Sequence, residues 1–252
     1  MKRILTAFLF ALMATIPAFA QDKPADKPAP PAAALPTVDQ IIDKSIQATG
    51  GKAAHEKLNS RVAKGQFDIP SLGAGGPFES YAKAPNKVKT TITIEGFGVV
   101  EQGFDGTVGY SSNPQEGLRE MQGEELASTK RDADFYANLK VKEYFPKMTV
   151  RGKDKVGEHE VYVVDAVTAE GTPEVFYFDT QSGLLIRDDS QRSTPQGKMT
   201  IHVYMEDYKE VDGVKMPFTI RQETEAMNFV IKFSEIKHNV PIEDAKLKKP
   251  SN

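Results

Sequence analysis

Hydrophobic and polar side chains alternate along most of the chain after Arg61. The segments 87–94, 199–208 and 227–233 place apolar residues at every second position, with polar residues between them. This alternation is typical of antiparallel strands that bury one face and expose the other. It argues against a doubly wound parallel sheet, whose strands are apolar on both faces. The pattern predicts a mainly β protein of the α+β type.

Short glycine turns separate these strands. Asp105-Gly106 and Asp212-Gly213 each lie between two strand-like segments, and residues 156–158 and 181–183 have the same character. Glycine accepts the positive φ that tight turns require, so each site predicts a hairpin. The spacing indicates roughly ten to twelve short strands in a large antiparallel sheet or barrel.

An amphipathic helix precedes the strands. Thr37 and Gln40 have the spacing of a capping box at its start. We expect a helix over 38–49 and a further helical turn within 52–58. The residues that fall on one helical face are Val38, Ile41, Ile42 and Ile46.

A second helical segment, residues 123–145, interrupts the strands. It contains helix formers and has no Gly or Pro after Gly123. We expect a break near residues 132–134 and interpret the segment as a lid helix that covers the concave face of the sheet. The lid residues expected to contact a ligand or the sheet are Leu126, Ala133, Phe135, Ala137 and Leu139.

The apolar face of the predicted sheet has two interpretations. It can be an ordinary core, or it can leave a cavity that holds an acyl chain. Burial of each CH₂ group contributes about 0.8 kcal/mol, so a chain needs only a dry cavity to bind. The predicted lipid-binding residues of this inner face are Phe67, Ile69, Phe78, Val88, Ile92, Ile94, Phe104, Tyr110, Met199, Ile201, Val203, Met205, Phe229, Ile231 and Phe233.

The N-terminus is typical of a secretory signal peptide. Lys2 and Arg3 precede the uncharged residues 4–16, and residues 18–20 read Ala-Phe-Ala, a small-residue cleavage site. The apolar run is shorter than the ~20 residues that a membrane-spanning helix needs. We therefore expect a signal peptide over 1–20 and a periplasmic protein that does not span a membrane after its removal.

The composition of the chain predicts the bounds of the linker, the folded domain and the tail. Residues 21–36 are rich in Pro and Ala, which indicates an extended linker. One β domain is expected over 37–246. Residues 247–252 are interpreted as a polar, frayed tail.

Composition excludes several kinds of site. The chain has no Cys and four His, which excludes disulfides, Cys-ligated zinc and iron–sulfur clusters. A formal net charge of −3 gives no basic surplus for nucleic acid. His55-Glu56 begins an H-E-x-x-H pattern, but Asn59 stands in place of the second His. We predict no metal and no cofactor.

The remaining polar candidates have structural interpretations. Asp188-Asp189 and the pair Asp132/Asp134 lie beside basic residues and are interpreted as solvated charge clusters. The glycines of residues 73–76 are interpreted as a mobile loop. No G-x-S-x-G motif is present, so we predict that the protein is not an enzyme. The histidines interpreted as solvated surface residues are His159, His202 and His238.

Several segments together resemble a known family. They read ATGGKAAHEKLNSRVAKG at 48–65, YFDTQSGLLIR at 177–187, YKEVDGVKMPFTI at 208–220 and DAKLKKP at 244–250. This order of segments is similar to that of LolA-like periplasmic proteins, which are described as outer-membrane lipoprotein-sorting proteins. The resemblance implies a half-open antiparallel β-barrel, or curved sheet, with helices over its mouth.

The resemblance also favours one function over two others. It implies a carrier that holds a lipid, or the acyl chains of a lipoprotein, in an apolar cavity. The alternative is a periplasmic sensor or assembly module that binds an envelope protein partner through its sheet. A hydrolase is the third hypothesis and has the least support from the residues.

Overall fold

Thirteen antiparallel strands join in one sheet within residues 34–194 and 197–251, which are the residues that the computed structural model describes. The predicted signal peptide and all but the end of the predicted linker lie outside them. The strands are β1 Ser60–Ile69, β2 Ala74–Lys83, β3 Lys87–Ile94, β4 Gly98–Phe104, β5 Gly109–Asn113, β6 Gly117–Glu120, β7 Lys147–Val156, β8 His159–Val167, β9 Pro173–Asp179, β10 Leu185–Thr194, β11 Gly197–Val211, β12 Val214–Glu223 and β13 Asn228–His238.

The sheet consists of two meanders. Its strand order is β6-β5-β4-β3-β2-β1-β13-β12-β11-β10-β9-β8-β7, so β1–β6 and β7–β13 meet where β1 pairs with β13. The sheet is curved and does not close, which leaves β6 and β7 as its two edges. This confirms the predicted mainly β class with a curved, half-open antiparallel sheet.

The helical segment 123–145 connects the two edges. Because β6 and β7 lie at opposite ends of the sheet, the chain between them must cross one face. It does so as α3 (Gly123–Ala133), a 3₁₀ turn (Ala137–Leu139) and α4 (Val141–Tyr144). The α3 helix contacts β4, β5 and β10 and thus bridges the concave face. We call residues 123–145 the covering segment.

The covering segment breaks where the sequence predicts. Asp134 ends α3 with an extended backbone, φ −63° and ψ 115°. The segment is therefore three short pieces and not one continuous helix.

Two helices precede β1: α1 (Val38–Ala48) and α2 (Lys52–Glu56). The predicted capping box of α1 is present, since the Thr37 side chain accepts from the Gln40 amide and the Gln40 side chain accepts from the Thr37 amide. The apolar face of α1 is buried against the β7–β9 end of the concave face. The buried residues of this core are Ile41, Ile42, Phe145, Val164, Ala166, Phe176 and Phe178.

The predicted hairpins are all present. Asp105-Gly106 joins β4 to β5, and residues 156–158 and 181–183 join β7 to β8 and β9 to β10. The β11–β12 turn places Asp212 at φ 53° and Gly213 at φ 83°, both left-handed. Two consecutive positive φ values match the twist of the flanking strands, which is why an Asp-Gly pair predicts this hairpin so well.

The glycine-rich loop prediction is wrong for Gly75 and Gly76. Both lie inside β2, paired with β1 through Asp68 and Phe67. A Cβ at Gly76 would approach the Thr93 carbonyl oxygen to 1.8 Å. These glycines allow a close approach of strands and do not form a turn.

The frayed-tail prediction is also wrong, at Leu247. A 3₁₀ turn, Asp244–Leu247, places this side chain on the convex face, where it is fully buried. It packs there with Tyr81 and Ile242. Lys249 then pairs with Glu120 of β6 at 2.6 Å. The buried Leu247 and the Lys249–Glu120 ion pair together attach this segment to the sheet.

Candidate functional site

A cavity of about 410 Å³ lies between the concave face, α1 and the C-terminal half of the covering segment. This volume is within the range of about 300–1,000 Å³ typical of small-molecule sites. Most of its wall is apolar. The apolar lining residues are Ile42, Ile46, Leu58, Phe135, Ala137, Val141, Tyr144, Phe145, Phe176, Phe178, Leu185, Met205, Val214, Met216 and Pro217.

A cluster of charged side chains closes one end of the cavity. Arg131 of α3 donates to Glu174 of β9 at 2.6 Å, and Arg192 of β10 lies 3.6 Å from the same carboxylate. Arg192 also pairs with Asp132 at 3.4 Å. With Asp188, which lines the cavity beside them, we call these five residues the ion cluster. It fastens α3 to the sheet.

Burial shifts the acids of the ion cluster towards their neutral forms. It raises the pKa of Glu174 against the opposing charges of Arg131 and Arg192. It raises the pKa of Asp188 to about 8, and the neighbouring Glu174 carboxylate adds to the shift. Asp188 Oδ1 and Arg192 Nη1 are buried without a hydrogen-bond partner. The solvated-cluster interpretation of Asp188 is therefore wrong, because alternation directs its side chain to the concave face with Arg192.

Asp134 organises the break in the covering segment. Its carboxylate accepts hydrogen bonds from the Tyr136 amide at 2.9 Å, Lys140 at 2.7 Å and the Tyr144 hydroxyl at 2.5 Å. Burial acts to raise the pKa of Asp134, but the hydrogen bonds from Lys140 and Tyr144 outweigh it and hold the pKa below its usual range. Asp134 is buried and structural, which corrects its interpretation as a solvated charge.

The opposite end of the cavity carries unpaired positive charge. Arg61 of β1 lines the cavity and pairs in register with His238 of β13. The other arginines of the described residues each have a carboxylate within 4.0 Å, whereas Arg61 has no ion pair and contacts the Phe135 ring at 5.8 Å. Burial lowers the pKa of the Arg61 guanidinium.

Two histidines accompany Arg61. The side chain of His238 is 1% exposed, with Nδ1 3.2 Å from Asp212 Oδ2 and Nε2 without a partner. His55 lies 3.0 Å from the Thr49 hydroxyl through Nε2 and also contacts Asn138. Burial, with a contribution from the Arg61 charge, lowers the pKa of both histidines.

The solvated interpretation therefore fails for His238. Its place in the strand alternation puts it on the concave face, opposite Arg61. By contrast, the side chain of His159 is 60% exposed, as predicted for a surface residue. His202 pairs with Asp189 at 2.7 Å and is partly exposed. Within residues 34–194 and 197–251, no group of His, Asp and Glu side chains is arranged to hold a metal ion.

The predicted inner-face residues do not lie together at one site. Of them, Met205 lines the cavity. Phe104 lies under Lys130 of α3, at 5.9 Å from the ring. A second apolar cluster gathers many of the others near the β1–β2 and β12–β13 hairpins, away from the cavity lining, and its members include Phe67, Ile69, Phe78, Ile92, Ile94, Phe229, Ile231 and Phe233.

The inner-face prediction is wrong for Tyr110. Register pairs Tyr110 with Gly103, Gly103 with Lys89, and Lys89 with Tyr81. Directly paired residues share a face, so Tyr110 lies on the convex face with Tyr81. Burial raises its pKa above the usual range. The remaining predicted residues lie on the concave face. Val88 shares this face with Arg61, to which it is linked through the strand between them. Met199, Ile201 and Val203 share it with Asp188 and Arg192 of the neighbouring strand.

The predicted lid residues also lie at different positions. Phe135 and Ala137 line the cavity. Ala133 is buried at the end of α3. Leu126 reaches towards Gly109 of β5, and neither Leu126 nor Leu139 lines the cavity. The cavity therefore lies under the 3₁₀ turn and α4, and not under the middle of α3.

The site residues predicted from the sequence do not include Arg61, although the sequence contains a signal for it. Arg61 occupies the same alternation class as Ala63, Gly65, Phe67 and Ile69. A charged residue that occupies the same alternating positions as buried apolar residues indicates a polar group inside a cavity or a core.

Comparison with solved structures identifies the fold as LolA-like. A LolA superfamily protein from Nitrosomonas europaea superposes with a TM-score of 0.53 and 12% identity, over 85% of this chain and 99% of that one. A domain named for outer membrane lipoprotein sorting from Vibrio parahaemolyticus gives 0.55 and 9%, over 84% and 97%. A DUF1329 family protein from Desulfovibrio piger gives 0.56 and 14%, over 84% and 97%.

These identities establish the fold and no more. No protein-family model matches the sequence, and no curated protein sequence matches it. Within the part of the chain that the structure describes, none of the helices has the length and apolar character needed to cross a membrane.

Proposed function

We propose that the protein is a periplasmic carrier that holds a lipid, or an acyl chain of a lipoprotein, in the cavity beneath the covering segment. The observation that carries this proposal is the apolar wall of the cavity, which the sheet, α1 and the covering segment build together. Each CH₂ group moved from water into such a wall contributes about 0.8 kcal/mol.

The arrangement of the cover supports uptake and release. The covering segment is held by side-chain contacts such as Arg131–Glu174 and by short helices, and it does not belong to the sheet. It can therefore move without breaking the strand ladder. Elements of low local stability are the ones that open for ligands.

The fold and the N-terminus are consistent with this role. The LolA-like architecture is shared with a domain named for outer membrane lipoprotein sorting. The predicted signal peptide directs the chain to the periplasm.

The direct test is native mass spectrometry of protein purified from a periplasm, followed by titration with a fluorescent fatty acid. We expect copurified lipid and saturable binding. Ala137→Phe should fill the cavity and reduce affinity at least tenfold, because the added ring occupies the space of the chain. The matched control is Ala169→Phe, which adds the same ring at an exposed turn and should bind like the wild type.

Two results would contradict the carrier function. One is protein that is consistently free of lipid and does not bind the fluorescent fatty acid. The other is equal binding by the Ala137→Phe and Ala169→Phe variants, which would place the lipid outside the cavity. Either result would favour the alternative, a module that binds a protein partner.

A further inference from the structure

Arg61 differs from the other arginines of the described residues in its environment. Arg119, Arg151, Arg187 and Arg221 form ion pairs with acidic side chains, and Arg131 and Arg192 belong to the ion cluster. Arg61 has no carboxylate and no hydrogen-bond acceptor among the residues that the structure describes. A partly buried cation without a counter-ion is unfavourable, so its retention inside a cavity indicates a role with a ligand.

The two polar ends of the cavity differ in net charge. At the ion cluster, Arg131 and Arg192 are balanced by Glu174 and Asp132, and burial keeps Asp188 protonated near neutral pH. At the other end, the charge of Arg61 is not balanced. The cavity therefore has a neutral end and a positive end, with the apolar wall between them.

His238 adds a second polar group beside Arg61. Its Nδ1 bonds with Asp212, which orients the ring and leaves Nε2 buried and unpartnered in the lining of the cavity. Ala82, the other cross-strand neighbour of Arg61, is small and leaves room above the guanidinium. An anion at this place offsets the Arg61 charge, which favours protonation of Nε2 and a hydrogen bond from it.

We propose that the ligand of the cavity carries an anionic head group, a carboxylate or a phosphate, and that Arg61 and His238 bind it. The guanidinium presents two parallel N–H donors that match either group. The acyl chain then extends from Arg61 along the wall that includes Leu58, Val214 and Met216. This inference rests on the proposed carrier function and specifies the chemical class of its ligand.

The test compares amphiphiles that share a chain and differ in the head group. Lauric acid, lauryl phosphate, lauryl alcohol and laurylamine are titrated into the mature protein by calorimetry, with inorganic phosphate as a probe without a chain. We expect the acid or the phosphate ester to bind at least tenfold more tightly than the alcohol, and the amine to bind most weakly. The ranking of acid against phosphate ester tells a fatty acid from a phospholipid source.

Arg61→Met removes the charge and keeps an apolar side chain of similar length. We expect this variant to bind lauric acid and lauryl alcohol equally, with the affinity for the alcohol unchanged or higher. Its melting temperature should equal or exceed that of the wild type, because an unpaired, partly buried cation is lost. Arg151→Met, at an exposed arginine paired with Asp165, is the matched control and should keep the preference for the anion.

The outcomes separate the two proposals. Equal binding of acid and alcohol by the wild type would refute the head-group site and leave the carrier function intact. A preference for the anion that persists in Arg61→Met would refute the assignment to Arg61. Binding of inorganic phosphate as tight as that of lauryl phosphate would make the site one for a free anion. If none of the amphiphiles binds, both proposals fail.

Discussion

Asp188 shows how a single buried acid couples stability to pH. Its side chain shares the concave face with Arg192, and burial raises its pKa to about 8. In the unfolded chain this carboxyl ionises near its ordinary value of 3.8. Between about pH 4 and about pH 8 the folded protein therefore binds a proton that the unfolded chain has released. The free energy of unfolding should fall as pH rises through this window.

Asp188→Asn should remove this pH-dependent loss. Asparagine has nearly the same shape and does not ionise, so the variant should be more stable than the wild type at pH 8, by about 2–8 °C in melting temperature. The difference should shrink as pH falls to about 3, below the ordinary value of 3.8, where the wild-type carboxyl is neutral in both states. Thermal unfolding at several pH values measures this.

The control for this prediction is Asp154→Asn, at an exposed position on β7. Its melting temperature should follow the wild type at each pH. A difference between Asp188→Asn and the wild type that does not change with pH would show that Asp188 is ionised in the folded protein.

At the scale of elements, ion pairs fasten α3 to the sheet. Its residues contact β4, β5 and β10. The shortest ion pair that α3 makes joins Arg131 to Glu174, whose side chain is 3% exposed. A buried pair behaves unlike an exposed one, because loss of one partner leaves the other charged and desolvated. The attachment of α3 should therefore depend on Glu174 far more than on any surface pair.

Glu174→Gln should lower the free energy of unfolding by about 3 kcal/mol. It should also increase hydrogen exchange in residues 123–133, because α3 loses its main contact with β9. Asp165→Asn breaks the exposed Arg151–Asp165 pair and should cost between 0 and about 1 kcal/mol. Chemical denaturation of both variants gives the comparison, and equal losses would refute the role of Glu174 in fastening α3.

At the scale of the whole molecule, the sheet and its cover are built differently. The strands form a continuous ladder across thirteen strands of the described residues, whereas the covering segment crosses that ladder as three short pieces. The edges β6 and β7 are far apart in the sheet, so the segment that joins them must span the concave face. Opening of this face therefore requires movement of the segment and leaves the ladder intact.

Hydrogen exchange across the whole chain tests this division. Amides of residues 123–145 should exchange faster than those of β3, and they should slow when lauric acid is added, because the bound chain packs against Phe135 and Ala137. Addition of sodium chloride instead is the control and should leave the pattern nearly unchanged. Equal protection of both regions, unaffected by lauric acid, would show that the segment is a fixed part of the core.

Local features of the sequence determined the elements of this protein. Period-2 alternation identified the strands, glycines at positive φ identified the hairpins, and the Thr37–Gln40 capping box identified the start of α1. Each of these signals acts over a few neighbouring residues, where backbone sterics and hydrogen bonding decide the conformation. The break of the covering segment near Asp134 is another feature that the local sequence determines.

Only the tertiary structure decided which residues meet. The pairing of β1 with β13 brings Arg61 beside His238, and no local signal contains that contact. Alternation divides a strand into two faces but does not say which face is concave, so the sequence predicts the wrong side for Tyr110. Leu247 is buried because it packs against Tyr81 and Ile242 on the convex face. The cavity exists because β6 and β7 lie at opposite edges of the sheet, so the segment that joins them covers the concave face. Contacts between distant segments depend on strand order and curvature, which are properties of the whole chain.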